Sequence, residues 1–314
     1  MKKYVFGIDV GGTTVKCGLF TVDGEVQDKW EIPTDTADNG CRILKDIADT
    51  ILAKCEEKAI AKAEVSGIGI AVPGPVLKNG DVPFAVNLHW GYTKVGQILE
   101  EYTQIPAVTG NDANVAALGE MWRGGGRGTD DMIMITLGTG VGGGVIINGK
   151  MVSGVHGAGG EIGHMCIDPD DPESCNCGNH GCLEQKTSAT GIVRLAKEAL
   201  AQTNEKTMLQ AETVTAKDVF DAYAKGDGVA ASVVDKMADY LGRAMAVIAA
   251  TIDPEKFVIG GGVSKAGQPL IDAIEKAYAS YCFPACKTTE IVLAELGNDA
   301  GIFGSARMVL DATK

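Results

Sequence analysis

Apolar residues along the chain fall into short runs and longer periodic stretches. Short runs rich in Val, Ile and Phe, bounded by glycine or polar turns, are typical of strands. We predict strands at residues 4–10, 15–20, 65–72, 105–109, 132–137, 145–147, 257–259 and 291–293. Apolar residues at helical spacing predict helices at 41–61, from about 112 to 121, across much of 187–250, from about 266, and at 300–310. This mixture of strands and helices predicts an α/β protein.

Two glycine-rich turns each join one predicted strand to another. The first lies between Asp9 and Lys16 and contains Gly11, Gly12, Thr13 and Thr14. The second contains Gly138, Thr139 and Gly140 and continues to residue 144. A Walker loop or a dinucleotide fingerprint requires a helix after the turn, so both of those motifs are excluded. The backbone N–H groups predict an anion-binding nest, with Mg²⁺ held beside Asp9, and an ordinary hairpin is the alternative. The repeated strand–turn–strand unit indicates an internal duplication, and two facing nests would suit a polyphosphate chain.

Residues 161–184 concentrate groups that bind metal. Three thiols and one imidazole supply the closed tetrahedral shell of a structural zinc site, at His164, Cys175, Cys177 and Cys182. His180 is an alternative fourth ligand, and a disulfide or scattered reduced thiols are the alternative to a metal. A metal here would hold two carboxylates, Glu161 and Glu184, in fixed positions.

Three further segments carry candidate site residues. Asp112 follows a predicted strand, where open α/β sheets bind ligands, so we interpret it as a functional carboxylate; a helix N-cap is the alternative. An amide beside an indole, at Asn87 and Trp90, is typical of sugar sites and equally common in surface loops. The segment from Gly260 to Ser264, which begins with three glycines, joins a strand to a helix and lets a nucleoside lie close to the backbone.

Composition and charge narrow the class of protein. The chain has 314 residues, 45% of them hydrophobic, and a formal net charge of −13. This length predicts a substantial core, in two lobes, and the acidic balance argues against nucleic acid or an anionic membrane as the main partner. Nine cysteines, an odd number, are typical of a reducing compartment. No apolar run has the length of a membrane span or signal peptide, so we expect a cytoplasmic protein.

Together these motifs resemble those of the ROK family of sugar kinases and repressors, most closely its ATP-dependent glucokinases. The matching motifs are Asp9-x-Gly-Gly-Thr-x-x-Lys16, Asn111-Asp112, Glu161-x-x-His164 and Cys175-x-Cys177-Gly-x-x-Gly-Cys182-x-Glu184. The likeness extends from about residue 4 to the C-terminal helix. It implies a two-lobed actin-like ATPase fold of the hexokinase and acetate kinase superfamily, with ATP and sugar in a cleft. The lobes we expect are 1–113 with 299–314, the smaller, and 114–298, the larger, which carries the zinc loop.

The resemblance also implies an activity and residue roles. The activity is ATP-dependent phosphorylation of glucose at its 6-hydroxyl, with Asp112 as general base. The implied sugar-binding residues are Gly74, Asn87, Asn111, Asp112, Glu161, His164 and Glu184. The implied ATP and Mg²⁺ residues are Asp9, Gly11, Gly12, Thr13, Thr14, Lys16, Gly138, Thr139, Gly140, Gly261, Gly262, Val263 and Ser264. The implied zinc ligands are His164, Cys175, Cys177 and Cys182. The sugar kinases of the family are often homodimers.

Several alternatives stay open on the sequence. The substrate could be another hexose, such as N-acetylmannosamine, N-acetylglucosamine, fructose, mannose or allose, and the donor could be polyphosphate. A sugar-sensing repressor would need a DNA-binding helix-turn-helix ahead of the first strand. That strand is predicted to begin at about residue 4, and the acidic charge disfavours DNA, so we expect an enzyme.

Overall fold

The computed structural model describes residues 2–313, which form ten strands and ten α-helices. The strands are β1 Tyr4–Val10, β2 Thr14–Thr21, β3 Val26–Pro33, β4 Val65–Val72, β5 Ala107–Asn111, β6 Met132–Leu137, β7 Val141–Ile147, β8 Lys150–Met151, β9 Lys256–Gly260 and β10 Glu290–Leu293. The helices are α1 Ala37–Gly40, α2 Ile43–Glu57, α3 Val95–Thr103, α4 Asp112–Arg123, α5 Glu184–Thr187, α6 Ala189–Gln202, α7 Ala216–Tyr223, α8 Gly228–Ile252, α9 Gln268–Tyr281 and α10 Ala300–Ala312. No helix among these residues has the length and hydropathy needed to cross a membrane.

The eight predicted strands are all present, and only two of them, β5 and β7, have an end shifted by two or more residues. β5 begins at Ala107 and not at residue 105, because Pro106 has no N–H for a ladder. β7 begins at Val141, so three glycines assigned to the turn are strand residues paired within the sheet. The prediction omitted β3, β8, α1 and α3. β3 is an edge strand in which the polar residues Gln27, Asp28, Lys29 and Glu31 interrupt the apolar ones, so it lacks an apolar run.

The chain folds as two compact units. The first contains the chain up to Asp130, residues Gly144–Gly160 and the chain from Glu295. The second contains Asp131–Gly143 and Glu161–Ala294. Residues 114–130, 144–160 and 295–298, assigned above to the larger lobe, group with the first of these units, in which α4 packs against α10.

The sheet of the first unit has the order β3-β2-β1-β4-β5, with helices on both faces. Alternate residues of β1 face opposite sides, as the two-residue period of a strand requires. Phe6, Ile8 and Val10 join a core built with α2 and α3, whereas Val5 packs with α10. On the Val5 side, Gly7 lets α10 lie against the sheet, since a Cβ there would lie 2.0 Å from the carbonyl oxygen of Ile302. The buried face that carries Val5 and Gly7 continues to Asp9.

The second sheet repeats the topology of the first. Its order, β10-β9-β6-β7-β8, read backwards is the first order with five added to every strand number. In each sheet the third strand of the motif pairs antiparallel with the second, and the last two follow in parallel. The internal duplication predicted from the two glycine turns is therefore confirmed at the level of strand order. In the second unit α8 packs against α6, α7 and α9, and its buried methionines fill the core.

Candidate active site

Three parallel strands of the first unit end at one edge of its sheet. Asp9 at the end of β1 lies opposite Ala71 of β4, and Val72 of β4 lies opposite Asn111 of β5. Gly74, just beyond β4, accepts a 3.0 Å hydrogen bond at its carbonyl oxygen from Nδ2 of Asn111. Sequence-predicted residues from three separate segments thus meet at the carboxyl edge, the position where open α/β sheets bind ligands.

Asn111 and Asp112 make different hydrogen bonds at the start of α4. The N-cap is Asn111, whose Oδ1 accepts 3.1 Å from the N–H of Asn114, so the N-cap alternative for Asp112 is wrong. Oδ1 of Asp112 accepts from the N–H of Ala113 at 2.8 Å and from Nδ2 of Asn111 at 3.0 Å. These bonds fix the carboxylate of Asp112 in one orientation, as a general base requires.

Asp9 has an unusually high pKa for an aspartate. Burial raises the pKa, the charge of Lys16 lowers it and that of Asp112 raises it, and the result is about 6. Asp9 is buried partly by α10, whose Gly301 lies so close that a Cβ on it would be 2.5 Å from Cγ of Asp9. Lys16 is the register partner of Asp9 on β2, and its ammonium donates to the carbonyl oxygen of Asn298. A cation beside Asp9 would favour its ionised form.

The first glycine turn is closed by a 3.0 Å hydrogen bond from the N–H of Gly11 to the carbonyl oxygen of Thr14. Neither Gly11 nor Gly12 has a positive φ, so an anion bound here would meet the N–H groups of a turn and not those of an αR–αL nest. A Cβ on Gly12 would lie 3.7 Å from the carbonyl oxygen of Asn87, which places Asn87 beside the turn. Trp90 is part of the core instead, since its indole N–H donates to the carbonyl oxygen of Gly40.

The second glycine turn is held by the start of α6. The N–H of Gly138 donates to the carbonyl oxygen of Gly140, and the N–H of Ala189 donates to that of Gly138. Neither glycine has a positive φ, so this turn also is not of the αR–αL type. The adjacent segment from Gly261 to Ser264 lies against it, because β6 and β9 are parallel neighbours. Gly261 has a φ of +84°, and a Cβ there would lie 2.5 Å from the carbonyl oxygen of Leu137, so only glycine fits.

The predicted metal ligands come together. The ligand atoms of His164, Cys175, Cys177 and Cys182 all lie within 4.8 Å of one another. The Sγ atoms of Cys177 and Cys182 are 3.6 Å apart, close to the value of about 3.8 Å expected for two thiolates on a tetrahedral zinc. Sγ of Cys175 lies 3.7 Å from Nδ1 of His164. The residues therefore fit Zn²⁺, and all nine cysteines are free, which excludes the disulfide alternative.

His180 is not part of this cluster. Its Nε2 lies 3.3 Å from Oγ of Ser174, the residue with which His180 forms a β-bridge. Burial raises the pKa of the Cys175 and Cys182 thiols, whereas the N–H of Asn179 lowers that of Cys177. Only a bound cation would stabilise all three as thiolates.

Two carboxylates flank the cluster, as predicted. Oε2 of Glu161 lies 3.9 Å from Nε2 of His164, the nitrogen that faces away from the thiols. Glu184 begins α5, and its Oε2 accepts 3.0 Å from the N–H of Val141 while Oε1 lies 3.6 Å from Sγ of Cys175. A Cβ on Gly140 would lie 2.1 Å from Oε2 of Glu184, so the glycine makes this approach possible. The metal loop and the second glycine turn are thereby joined within one unit.

A buried network of side-chain ion pairs includes Lys186 of α5. Asp171 is 4% exposed and accepts from Nη1 and Nη2 of Arg194 at 2.9 and 2.6 Å. Lys186 is also 4% exposed, and its ammonium contacts Asp171 at 2.9 Å and Asp168 at 2.8 Å. The hydrogen bonds from Arg194 hold the pKa of Asp171 well below its usual range. Sequence analysis missed this network because its members lie on three separate segments with no motif.

Asn114 was also missed. Its Nδ2 donates to Oδ1 of Asn111 at 3.2 Å and to the carbonyl oxygen of Gly159 at 2.9 Å, so it fixes the Asn111 side chain. Asn114 is 3% exposed, two positions after Asp112 on α4. A polar residue on the buried side of a predicted helix was the available signal.

Comparison with known proteins identifies the family. The profile of the ROK family matches residues 5–312. The chain belongs to the ROK family. Among curated relatives, a glucokinase of Halalkalibacterium halodurans is 45% identical over 98% of this chain and 95% of its own, and one of Thermotoga maritima is 37% identical over 98% of each. The structure of a ROK family glucokinase from Streptomyces griseus, in complex with glucose and AMPPNP, matches with a TM-score of 0.74 and 32% identity over 97% of this chain and 98% of that one. The two-sheet actin-like fold expected of a ROK protein is thus confirmed.

Proposed function

We propose that this ROK protein transfers the terminal phosphoryl group of ATP to the 6-hydroxyl of glucose. The observation that carries the proposal is the carboxylate of Asp112, held at the carboxyl edge of the first sheet by two hydrogen bonds. Phosphoryl transfer has a loose transition state, so catalysis consists mostly of positioning and charge neutralisation. Asp112 aligns the sugar hydroxyl and accepts its proton as the bond to phosphorus forms. The glucokinase relatives support the choice of sugar and donor.

In the first unit, we assign the sugar contacts to Gly74, Asn87 and Asn111. Both functions of the Asn111 side chain are already oriented, since its amide nitrogen donates to Gly74 and its oxygen accepts from Asn114. An amide held in this way binds a hydroxyl without losing further side-chain freedom.

In the second unit, we assign Glu161, His164 and Glu184 to the hydroxyls of the sugar. With Nδ1 of His164 directed at the thiols, a zinc ion on that nitrogen would leave the proton on Nε2, which faces Glu161. The Nε2–H group then donates to a hydroxyl, and the glutamate oxygens accept. Zinc, when bound by His164 and the three cysteines, would keep this loop rigid; it takes no part in the reaction.

We assign the nucleotide to the backbone turns. Gly11, Gly12, Thr13 and Thr14 of the first unit, and Gly138, Thr139 and Gly140 of the second, would bind phosphate oxygens, with Lys16 adding charge. Gly261, Gly262, Val263 and Ser264 would line the nucleoside, since their glycines expose backbone beside the second turn. Asp9 would orient a hydrated Mg²⁺, the ion whose charge the donor phosphates require.

Two assays test the proposal: coupled ADP release with ATP as donor, and chromatographic detection of the sugar phosphate with polyphosphate, which releases no ADP. ATP and polyphosphate are each offered with glucose, mannose, fructose, allose, N-acetylmannosamine and N-acetylglucosamine. We expect the highest kcat/KM with ATP and glucose. Preference for another hexose would overturn the assigned substrate, and activity with polyphosphate alone would overturn the assigned donor.

The proposal extends to assembly and location. The sugar kinases that the sequence resembles suggest a homodimer, which sedimentation of the purified protein would test. Nine cysteines without a disulfide support a reducing, cytoplasmic location.

A further inference from the structure

Cys166 lies directly across a short β-bridge from the metal-binding residue Cys182. The N–H of Ile167 donates to the carbonyl oxygen of Gly181, and the N–H of Leu183 donates to that of Met165. These two bonds flank the Cys166–Cys182 pair, so the pair itself is of the non-hydrogen-bonded kind.

The backbone of Cys182 gives independent evidence for this pairing. Its N–H points away from Cys166 and donates to Oε1 of Gln185 at 3.0 Å. In such a pair the two Cα atoms lie about 4.5 Å apart and both side chains project from the same face. Disulfides form at Cα separations of roughly 4.4 to 6.8 Å, so this backbone geometry already permits a bond between the two sulfurs.

The two thiols differ in what holds them. Cys182 is fully buried and belongs to the metal cluster, whereas Cys166 is exposed and lies outside it. An exposed thiol that no metal holds is the first to meet a dissolved oxidant. Cys41 and Cys177 are also exposed; Cys177 is a member of the metal cluster, and Cys41, in the first unit, is not.

We propose that Cys166 is an oxidant-sensing residue that forms a reversible disulfide with Cys182 and thereby opens the metal site. The oxidant is a peroxide. The Cys166 thiol attacks one peroxide oxygen, the O–O bond breaks, and sulfenic acid and water form. The Cys182 sulfur then attacks the Cys166 sulfur, the S–O bond breaks, and hydroxide leaves and takes up a proton. The two sulfurs have together given two electrons to the peroxide.

Loss of Cys182 leaves the metal with three ligands from the cluster, and zinc dissociates. This inference rests on the zinc site of the proposed function. His164 lies in the same cluster and Glu184 lies two residues after Cys182, so neither side chain would still be held in position by the metal site. Oxidation would therefore weaken sugar binding, and a thiol reductant with zinc would restore it.

The test uses the full-length zinc-loaded protein, Cys166→Ser, and Cys41→Ser as the matched control. Zinc content is measured first, then hydrogen peroxide is added while a chelating dye records zinc release. Peptide mapping by mass spectrometry without reductant identifies the linked cysteines. We expect wild type and Cys41→Ser to release zinc in step with a Cys166–Cys182 linked peptide, reversibly with dithiothreitol. Release from Cys166→Ser should be about tenfold slower or more, because its remaining cluster thiols are held by metal.

Three results would overturn the inference: equal zinc release from Cys166→Ser, a Cys177–Cys182 bond as the first product, or Cys166 oxidised without any link. Protein purified without zinc would count against the proposed metal site instead. Peptide mapping would still report whether Cys166 and Cys182 pair, so the two failures are distinguishable.

Discussion

The backbone N–H of Val141 donates a 3.0 Å hydrogen bond to Oε2 of Glu184. Val141 opens β7 directly after the second glycine turn, and Glu184 follows the last metal ligand by two residues. A shift of the metal loop would therefore move both the carboxylate and the turn. In the proposed site, this bond would carry the effect of metal loss to the residues assigned to the substrate.

Removal of a metal ligand should weaken glucose binding, because the metal loop positions Glu184 and the second glycine turn. We expect Cys177→Ala to lose zinc and to raise the KM for glucose by about 10- to 100-fold, the usual effect of losing support around a site. Zinc is measured by atomic absorption and KM by the coupled assay. Cys41→Ala, an exposed cysteine in the other unit, should keep both values. Full zinc content in Cys177→Ala would show that the ligand set is different.

Asp112→Asn tests the general base. The amide keeps the shape of the side chain but cannot accept the hydroxyl proton, so kcat should fall by about 10²- to 10⁴-fold. Glucose affinity, measured by calorimetry, should stay near the wild-type value. The control is Asp23→Asn, an exposed turn residue of the same unit. A kcat within a few-fold of wild type would remove Asp112 from the chemistry.

The titration of Asp9 can be followed in the metal-free protein by carbon NMR of its carboxyl group. We expect a pKa of about 6. Asp112→Asn should lower this pKa by removing a like charge, and Lys16→Met should raise it.

Because the folded pKa of Asp9 lies above the unfolded value of about 3.9, the folded state binds the proton more tightly. The contribution of Asp9 to stability is therefore largest below pH 4 and declines as the pH rises to about 6. Above that pH, metal-free Asp9→Asn should be more stable than wild type. A wild-type carboxyl that titrates near pH 4 would contradict this account.

Asp171 should give the opposite pH dependence. Its folded pKa lies below the unfolded value, so its contribution is present above about pH 4 and is lost as the pH falls through the folded pKa. At neutral pH, Asp171→Asn leaves Lys186 and Arg194 without their buried partner and should cost about 3 to 5 kcal/mol. Urea unfolding followed by circular dichroism measures the loss. The exposed neighbour Asp170, changed to Asn, is the control, and equal stability of both variants would refute the prediction.

Glu120 is a fully buried carboxylate that accepts from three backbone N–H groups. The donors are Gly125 and Glu295 to Oε2, at 2.9 and 3.0 Å, and Leu296 to Oε1, at 2.9 Å. Glu120→Gln replaces one acceptor oxygen with a donor, so at least one N–H group loses its partner.

The expected cost of Glu120→Gln is about 1.5 to 3 kcal/mol in urea unfolding, the range for hydrogen bonds to a charged group. Glu56→Gln, at an exposed position of α2, should be neutral. If both variants unfold at the same urea concentration, the three bonds contribute no net stability.

Much of the site could be predicted because its chemistry is local in sequence. The metal ligands lie within one stretch of nineteen residues that also contains the turns between them. The glycine turns join strands that are adjacent in the chain. His164 and not the alternative His180 joins the three cysteines, a choice that depends on how the loop folds. Apolar runs located eight strands, but the polar edge strand β3 gave no such run.

The sequence by itself determined eight of the ten strands, most of the helices, the metal-binding residue types and the resemblance to the family. Only the tertiary structure decided that Asn111 and not Asp112 caps α4, that Gly301 crowds Asp9, and that Cys166 faces Cys182. The reason is physical: hydrophobic period and turn chemistry act over a few residues. Register and helix packing depend instead on contacts between distant segments, such as the fit of α10 against Gly7, which no local pattern records.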